Sequence, residues 1–245
     1  TFGADHETTL ATYHIWRELQ NRLPFQAGGA VGLDRYFGGG SLQHVYAGDL
    51  FGRASRLLAG FEVDAQRDER VRRDNLNGHL GAVTLDQREE VTGYRFFVQE
   101  EFALLDDLEL SLAVGYDGLR FAAQDHFLAD GDDSGRRDFG EWSPMAGLSW
   151  RATSATVVYA RVATAFEPPT TNELADPSGG GGFNPDLEAQ RAVSFEGGVK
   201  GLLPGSTRWE LVGFHILGRD ELVPFELASM PGLSFFNNAG RSRRS

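Results

Sequence analysis

Over much of the chain, apolar and polar residues alternate one by one. Leu57, Ala59, Phe61, Val63 and Ala65 share one parity, and Arg56, Gly60, Glu62 and Asp64 share the other. Leu108, Leu110, Leu112, Val114 and Tyr116 alternate with Glu109, Ser111, Gly115 and Asp117. Val193, Phe195 and Val199 alternate with Ser194, Glu196 and Lys200. A period of two is the mark of a strand with one apolar face. The same pattern predicts strands over 30–37, 42–49, 91–105, 139–151, 154–162 and 209–217, with another beginning at Phe235-Phe236. Residues 10–23 fit a strand or a helix turn around Trp16; strand is the reading preferred. The pattern as a whole predicts an all-β chain. No apolar run approaches the length of a helical membrane span. Barrel strands escape that test, because about 9–11 alternating residues cross a bilayer.

The connections carry a second pattern. Short turns are predicted near 25–29, 38–40, 51–54, 105–107, 152–154 and 203–206, and long loops at 66–90, 122–138, 165–189 and 218–234. The 66–90 segment is dense in charge (Arg67-Asp68-Glu69-Arg70) and reads as a solvated loop. Apart from the turn at 38–40, long and short connections alternate, as an antiparallel up-and-down transmembrane barrel requires. A Greek-key sandwich has no reason to keep that order.

Composition narrows the function classes. The formal net charge of −12 gives no basic footprint for nucleic acid. There is no cysteine, hence no disulfide frame and no thiolate metal site. No nucleophile elbow, phosphate loop or zinc signature is present, so neither an enzyme nor a cofactor is expected. Glu100-Glu101 and Asp106-Asp107 are adjacent acids rather than facing catalytic pairs, since neighbours on a strand point to opposite faces.

Two weaker features bear on ligands. Asp130, Asp132, Ser134, Asp138 and Glu141 follow a calcium-loop spacing with Gly135 at the turn. Arg136-Arg137 and the strand-like flanks argue instead for an acidic hairpin tip. His79 and His126 fall in two of the proposed loops and could meet a ligand there; solvated loop histidines are the commoner case.

The stretch 154–200 carries a more specific signal. A strand leads to Phe166-Glu167-Pro168-Pro169-Thr170-Thr171-Asn172-Glu173-Leu174, then a glycine run, then Asn184-Pro185-Asp186-Leu187-Glu188, then a strand containing Glu196-Gly197-Gly198. Pro168-Pro169 must stop strand pairing, the glycines mark an irregular loop, and Asn184-Pro185 starts a turn. This order resembles the late barrel signature of TonB-dependent outer-membrane receptors, with Gln190 where an acid is usual. Phe97-Val98-Gln99-Glu100 and Trp142-Ser143-Pro144-Met145 resemble the same family.

The resemblance implies a partial, plugged β-barrel, this chain supplying about ten or eleven of about 22 strands. It implies residence in the bacterial outer membrane, contact with its lipid, and a partnership with the TonB complex through an N-terminal region not in this sequence. The ligand implied is a small-molecule metal chelate, a ferric siderophore foremost. Phe166, Pro168, Pro169, Asn172, Glu173, Leu174, Asn184, Pro185, Leu187 and Glu196 are expected to shape the longest loop rather than touch ligand. The chain reads as an internal piece, with the plug and the last strands absent, and its two open edges predict aggregation in isolation. The alternatives are a passive outer-membrane porin, or a soluble all-β carbohydrate-binding or hydrolytic domain.

Overall fold

A computed structural model describes residues 5–177, 182–203, 205, 207–228 and 234–245. The glycines 179–181, Pro204, Ser206 and the segment 229–233 lie outside the described residues, so the predicted connections there are described only in part.

Strand follows strand in β1 (His6–Arg22), β2 (Ala30–Leu50), β3 (Arg53–Leu76), β4 (His79–Ala103), β5 (Leu108–Asp125), β6 (Gly135–Thr153), β7 (Thr156–Glu167), β8 (Gln190–Leu203), β9 (Thr207–Glu226) and β10 (Ser234–Arg244). They form one 10-stranded sheet in sequence order, each strand pairing only with its chain neighbours. The pairings are antiparallel throughout, from β1 with β2 to β9 with β10. The sheet is an unclosed meander, and β1 and β10 are each paired on one side. Among the described residues no helix is long and apolar enough to cross a membrane.

Three sequence expectations are corrected here. The Gly38-Gly39-Gly40 turn does not exist; these glycines lie inside β2, paired with β1 and with β3. Their role is close approach: a Cβ on Gly39 would collide with the Val63 carbonyl oxygen and the carboxylate of Asp64. The 66–90 loop is also not a loop. β3 and β4 run through it and turn only at Asn77-Gly78, where φ is 53° and 92°. Left-handed angles at both turn residues define the tight hairpin that Asn-Gly favours. Lastly, the loops at 122–138 and 218–234 are shorter, because β5 extends to Asp125, β6 begins at Gly135, and β9 reaches Glu226. Removing the false turn makes successive connections fall at opposite ends of the sheet, although length does not alternate throughout, the 77–78 turn being as short as that at 51–52. The connections at 23–29, 77–78, 126–134, 168–189 and 227–233 share one end, and those at 51–52, 104–107, 154–155 and 204–206 share the other.

The two faces differ in chemistry. One row of directly paired residues reads Leu10, Leu42, Phe61, Phe96, Tyr116, Trp142. On this face Leu10 is 72% exposed, Trp142 61% and Leu211 72%. An apolar sheet face of this extent, left open to its surroundings, is built for lipid. Trp142 and Trp150 share it and stand about 26 Å apart along β6 at the usual rise per residue. With barrel strands tilted by about 35–45°, that spans roughly 20 Å of membrane height, most of the apolar band of about 25 Å between the two aromatic girdles of a membrane barrel. The opposite face carries ion pairs: Arg35 with Asp68, Arg70 with Glu89, Arg95 with Asp117, Arg161 with Glu196.

Beyond the Trp142 end of the band, the ribbons continue with charge on both faces. Glu69 accepts from Arg67 and Arg88, and Arg120 and Arg136 converge on Asp138. With water on both sides there is no apolar face to impose a period of two. The strands there are held by their backbone ladder and by cross-strand charge pairs.

Candidate ligand-facing loop site

The connection between β7 and β8 folds back over the polar face. β7 stops at Glu167 because Pro168 and Pro169 have no amide hydrogen to offer a neighbouring strand. Thr170 then opens a single turn: the Glu173 and Leu174 amides donate to its carbonyl, and the Glu173 carboxylate accepts from its amide at 2.7 Å. Leu174 is driven inward by that turn and is fully buried. On the returning limb Asn184 accepts from the Asp186 amide at 2.9 Å and donates its own amide to the Leu174 carbonyl at 2.7 Å. That places Leu187 beside Leu174, and the pair packs with Phe121, Val91, Leu119, Phe139 and Phe183. Pro169 is also buried. This small apolar cluster seats the loop on the inner face of β4, β5 and β6.

Polar ties surround the cluster. The Asn172 side-chain oxygen accepts from Arg70 of β3 at 3.2 Å. Arg137 of β6 donates to the carbonyls of Pro185 and Leu187, with its guanidinium over the Phe139 ring. Asn238 of β10 grips Glu188 on both backbone atoms and also donates to the Asp220 carbonyl. Gln190 donates to the Glu167 carboxylate and accepts from the Leu222 amide. An acid at position 190 would repel Glu167, which accounts for glutamine there. Glu196 pairs with Arg161 at 2.9 Å on the inner face, away from this loop's turns. Phe166 is half-buried near the end of β7, opposite Arg191, and Pro168 is half-buried after it. The tip leans on the neighbouring 126–134 loop. A Cβ on Gly135 would meet the Phe183 nitrogen, and one on Gly182 the Ser134 carbonyl, so glycine permits the contact.

The other candidates do not converge. His79 is exposed at the β3–β4 tip, whereas His126 lies 3.7 Å from the Asp86 carboxylate. Of the calcium-like set, Asp130 is exposed and Asp132 accepts from the Ser134 amide. Asp138 is held between Arg120 and Arg136, and Glu141 is bound by Arg191. Hydrogen bonds from the Ser134 side chain and amide hold Asp132 below the usual carboxylate range. Burial, then the charges of Asp125, Asp130 and Asp132, push Asp133 up. Among the described residues no group of three or more histidine, aspartate or glutamate side chains is placed to hold a metal.

Sequence reasoning did not single out Arg70, Arg137 or Asn238 as loop anchors. An arginine or asparagine on a strand gives no sign of which loop will fold onto it. The one visible hint was Arg137 itself, a cation inside an otherwise acidic tip.

A meander with one lipid-compatible face, one ion-paired face and an inward-folded loop defines a segment of outer-membrane barrel wall. The family model described as TonB dependent receptor-like, beta-barrel matches residues 2–245, and the chain belongs to that family. Its place is the bacterial outer membrane. Solved structures of similar fold include the siderophore receptor PiuA from Acinetobacter baumannii, at a TM-score of 0.74 and 11% identity, covering 99% of this chain and 41% of that one. The ferric-catecholate import receptor Fiu from K12 E. coli aligns at 0.67 and 12% identity, covering 99% and 42%. The copper transporter OprC aligns at 0.71 and 15% identity, covering 99% and 40%. The chain therefore spans about four tenths of the length of these three.

Proposed function

We propose that this chain forms part of the wall of an active transporter that imports a scarce nutrient as a small metal chelate, a ferric siderophore first among the cargoes to test. Transport would be driven through a TonB complex contacted by a region outside this chain, and no chemistry would be done on the cargo. The observation that carries this reading is the 168–189 loop. It is seated on Phe121 and tied by Arg70, Arg137 and Asn238, so it is fixed over the inner face of β4 to β6 at the loop end. A fixed inward shelf supports a cargo-binding wall, and TonB dependence of uptake separates that reading from a passive pore. The loop-shaping residues, Pro169, Asn172, Glu173, Leu174, Asn184 and Leu187 foremost, fix a shelf on which cargo can rest. His79 projects from a neighbouring tip, and His126, in the next loop, lies 3.7 Å from the Asp86 carboxylate; both are candidate cargo contacts.

The test is uptake of radiolabelled iron, as a panel of ferric chelates, by cells whose own receptors are deleted and which express the full-length protein. Uptake that saturates and disappears when TonB is deleted or the proton-motive force is collapsed is the expected result. Uptake that persists without TonB would establish a passive porin instead. Unlabelled copper and cobalamin cargoes belong in the same panel as competitors.

A further inference from the structure

Adjacent acids on a strand face opposite ways, and Glu100 and Glu101 near the end of β4 do so here. Glu101 faces inward and pairs with Arg56 at 3.4 Å. Glu100 faces the lipid side, directly between Leu57 of β3 and Leu112 of β5. Its Oε1 accepts from the buried Ser55 hydroxyl at 2.6 Å. Its Oε2 has no donor among the described residues; Arg53, two residues beyond Ser55 on the same face, is engaged by Asp106 at 3.0 Å instead. A carboxylate held among apolar groups asks for a cationic hydrogen-bond donor.

The surface beside it has the shape to hold the rest of such a donor. Glu100 begins a single cross-strand row that continues through Leu112, Ala146, Val162 and Phe195. A shallow groove of about 500 Å³ follows this row, with Glu100 at one end and Val98, Val114 and Pro144 along its sides. A second groove shares Ala146 and Val162 with it and carries on past Phe195, where Gly197 and Gly213 leave the surface low. The two are continuous and mainly apolar beyond Glu100, with Thr164 at one side and His215, opposite Phe195, at the far end.

The row is inclined to the membrane. Glu100 stands about 10 Å along its strand from the turn end of β4, which closes at Ala103. Phe195 stands about 26 Å from the corresponding end of β8, which closes at Leu203. The polar end of the groove is thus at the rim of the apolar band, where a charged side chain on the lipid face costs least, and the groove climbs from there into the hydrocarbon.

From this geometry we propose that the outward face of β4 to β8 holds one phospholipid, its primary ammonium headgroup on Glu100 and an acyl chain along the Leu112–Ala146–Val162 row. A quaternary ammonium headgroup lacks the N–H that the free carboxylate oxygen needs. The proposal rests on the outer-membrane location and not on the transport reading.

The experiment uses the full-length protein reconstituted in vesicles of equal phosphatidylethanolamine and phosphatidylcholine, extracted in mild detergent, with retained lipid counted by native mass spectrometry. The wild type should retain phosphatidylethanolamine over phosphatidylcholine by about tenfold, the worth of one charge-assisted hydrogen bond. Glu100→Gln should abolish that preference. Ala146→Phe, which fills the groove and leaves the carboxylate in place, should abolish retention of both lipids. Soluble phosphoethanolamine should not displace the lipid, because it has no chain for the groove. Heat-modifiable migration on gels confirms that each variant is folded. If Glu100→Gln failed to insert, Ala146→Phe alone would decide the matter. Equal retention of the two lipids by the wild type would overturn the proposal. So would an unchanged preference in Glu100→Gln, displacement by the soluble headgroup, or a second protein copy occupying the groove.

Discussion

Arg137 Nη2 donates to the Leu187 carbonyl at 2.6 Å, and the same guanidinium reaches the Pro185 carbonyl. One strand residue thus caps the returning limb of the longest loop. Hydrogen bonds from a charged donor contribute about 1.5–3 kcal/mol each. Arg137→Ala should loosen the loop by about 3 kcal/mol without unfolding the sheet, because β5 and β6 keep their full ladder. Hydrogen exchange should show amides near 184–189 opening about a hundredfold more often, with those of β5 unchanged. Arg137→Lys should recover part of the protection, since an ammonium can serve one carbonyl but lacks the fork that spans two.

Beneath that cap Leu174 is 0% exposed and Leu187 1%. Leu174→Ala should cost about 3 kcal/mol of loop stability through the cavity left against Phe121. Leu80→Ala, at a side chain 59% exposed, should cost less than about 0.5 kcal/mol. Limited proteolysis is the simple readout: the Leu174 variant should be nicked within 168–189 at protease levels that leave the Leu80 variant intact.

The contrast between those leucines bears on what the sequence could reveal. Where one face meets lipid, as from Leu108 to Tyr116, alternation was legible and placed the strands correctly. Above the apolar band it was not. Arg67 to Arg73 and Arg88 to Glu90 are charged on both faces, so the periodicity that marks a strand is absent although the strand continues. The remaining local cue was Asn77-Gly78, a hairpin dipeptide overshadowed by the charge around it. Gly38-Gly39-Gly40 misled in the opposite direction, because glycine tolerates turns and close strand approach alike. The positions of Pro168, Asn172, Leu174 and Asn184 were readable as a motif. Their partners Arg70, Arg137 and Asn238 were not, being distant in the chain and brought close only by the meander.

The inner-face pair Arg35–Asp68 tests how much a buried charge contributes above the band. Asp68 is 1% exposed and takes both forks of Arg35, at 2.8 and 2.6 Å, together with a bond from Gln66. Asp68→Ala leaves a half-buried guanidinium without its partner, at a cost of about 3 kcal/mol. The low end of the usual range applies because the Arg35 side chain keeps 34% of its exposure to water. The double variant Arg35→Leu with Asp68→Leu should recover most of the loss, since two apolar groups leave no orphaned charge. Urea unfolding in a fixed lipid or detergent system gives the comparison, and equal loss in single and double variants would refute it.

On the lipid face Tyr94 leans over Gly118 of the next strand, and Tyr116 leans over Gly140 of the strand beyond. The rings form a staircase, Tyr94 to Tyr116 at 6.1 Å and Tyr116 to Trp142 at 5.0 Å between centroids. Each glycine leaves the space its neighbour's ring fills, a device that restores to the strand the packing its missing side chain withholds. The two sites are not equivalent. A Cβ on Gly118 would fall against the Tyr94 ring carbons as well as its hydroxyl, whereas one on Gly140 would meet chiefly the Tyr116 hydroxyl. Gly118→Ala must therefore move a whole ring and should cost about 2 kcal/mol, while Gly140→Ala can be met by a small swing of a phenol tip at less than about 1 kcal/mol. Moving Tyr94 also withdraws the outer support of Tyr116 and, through it, of Trp142. The Gly118 variant should then show a shifted Trp142 emission against a background with the other tryptophans replaced, and the Gly140 variant should show little change.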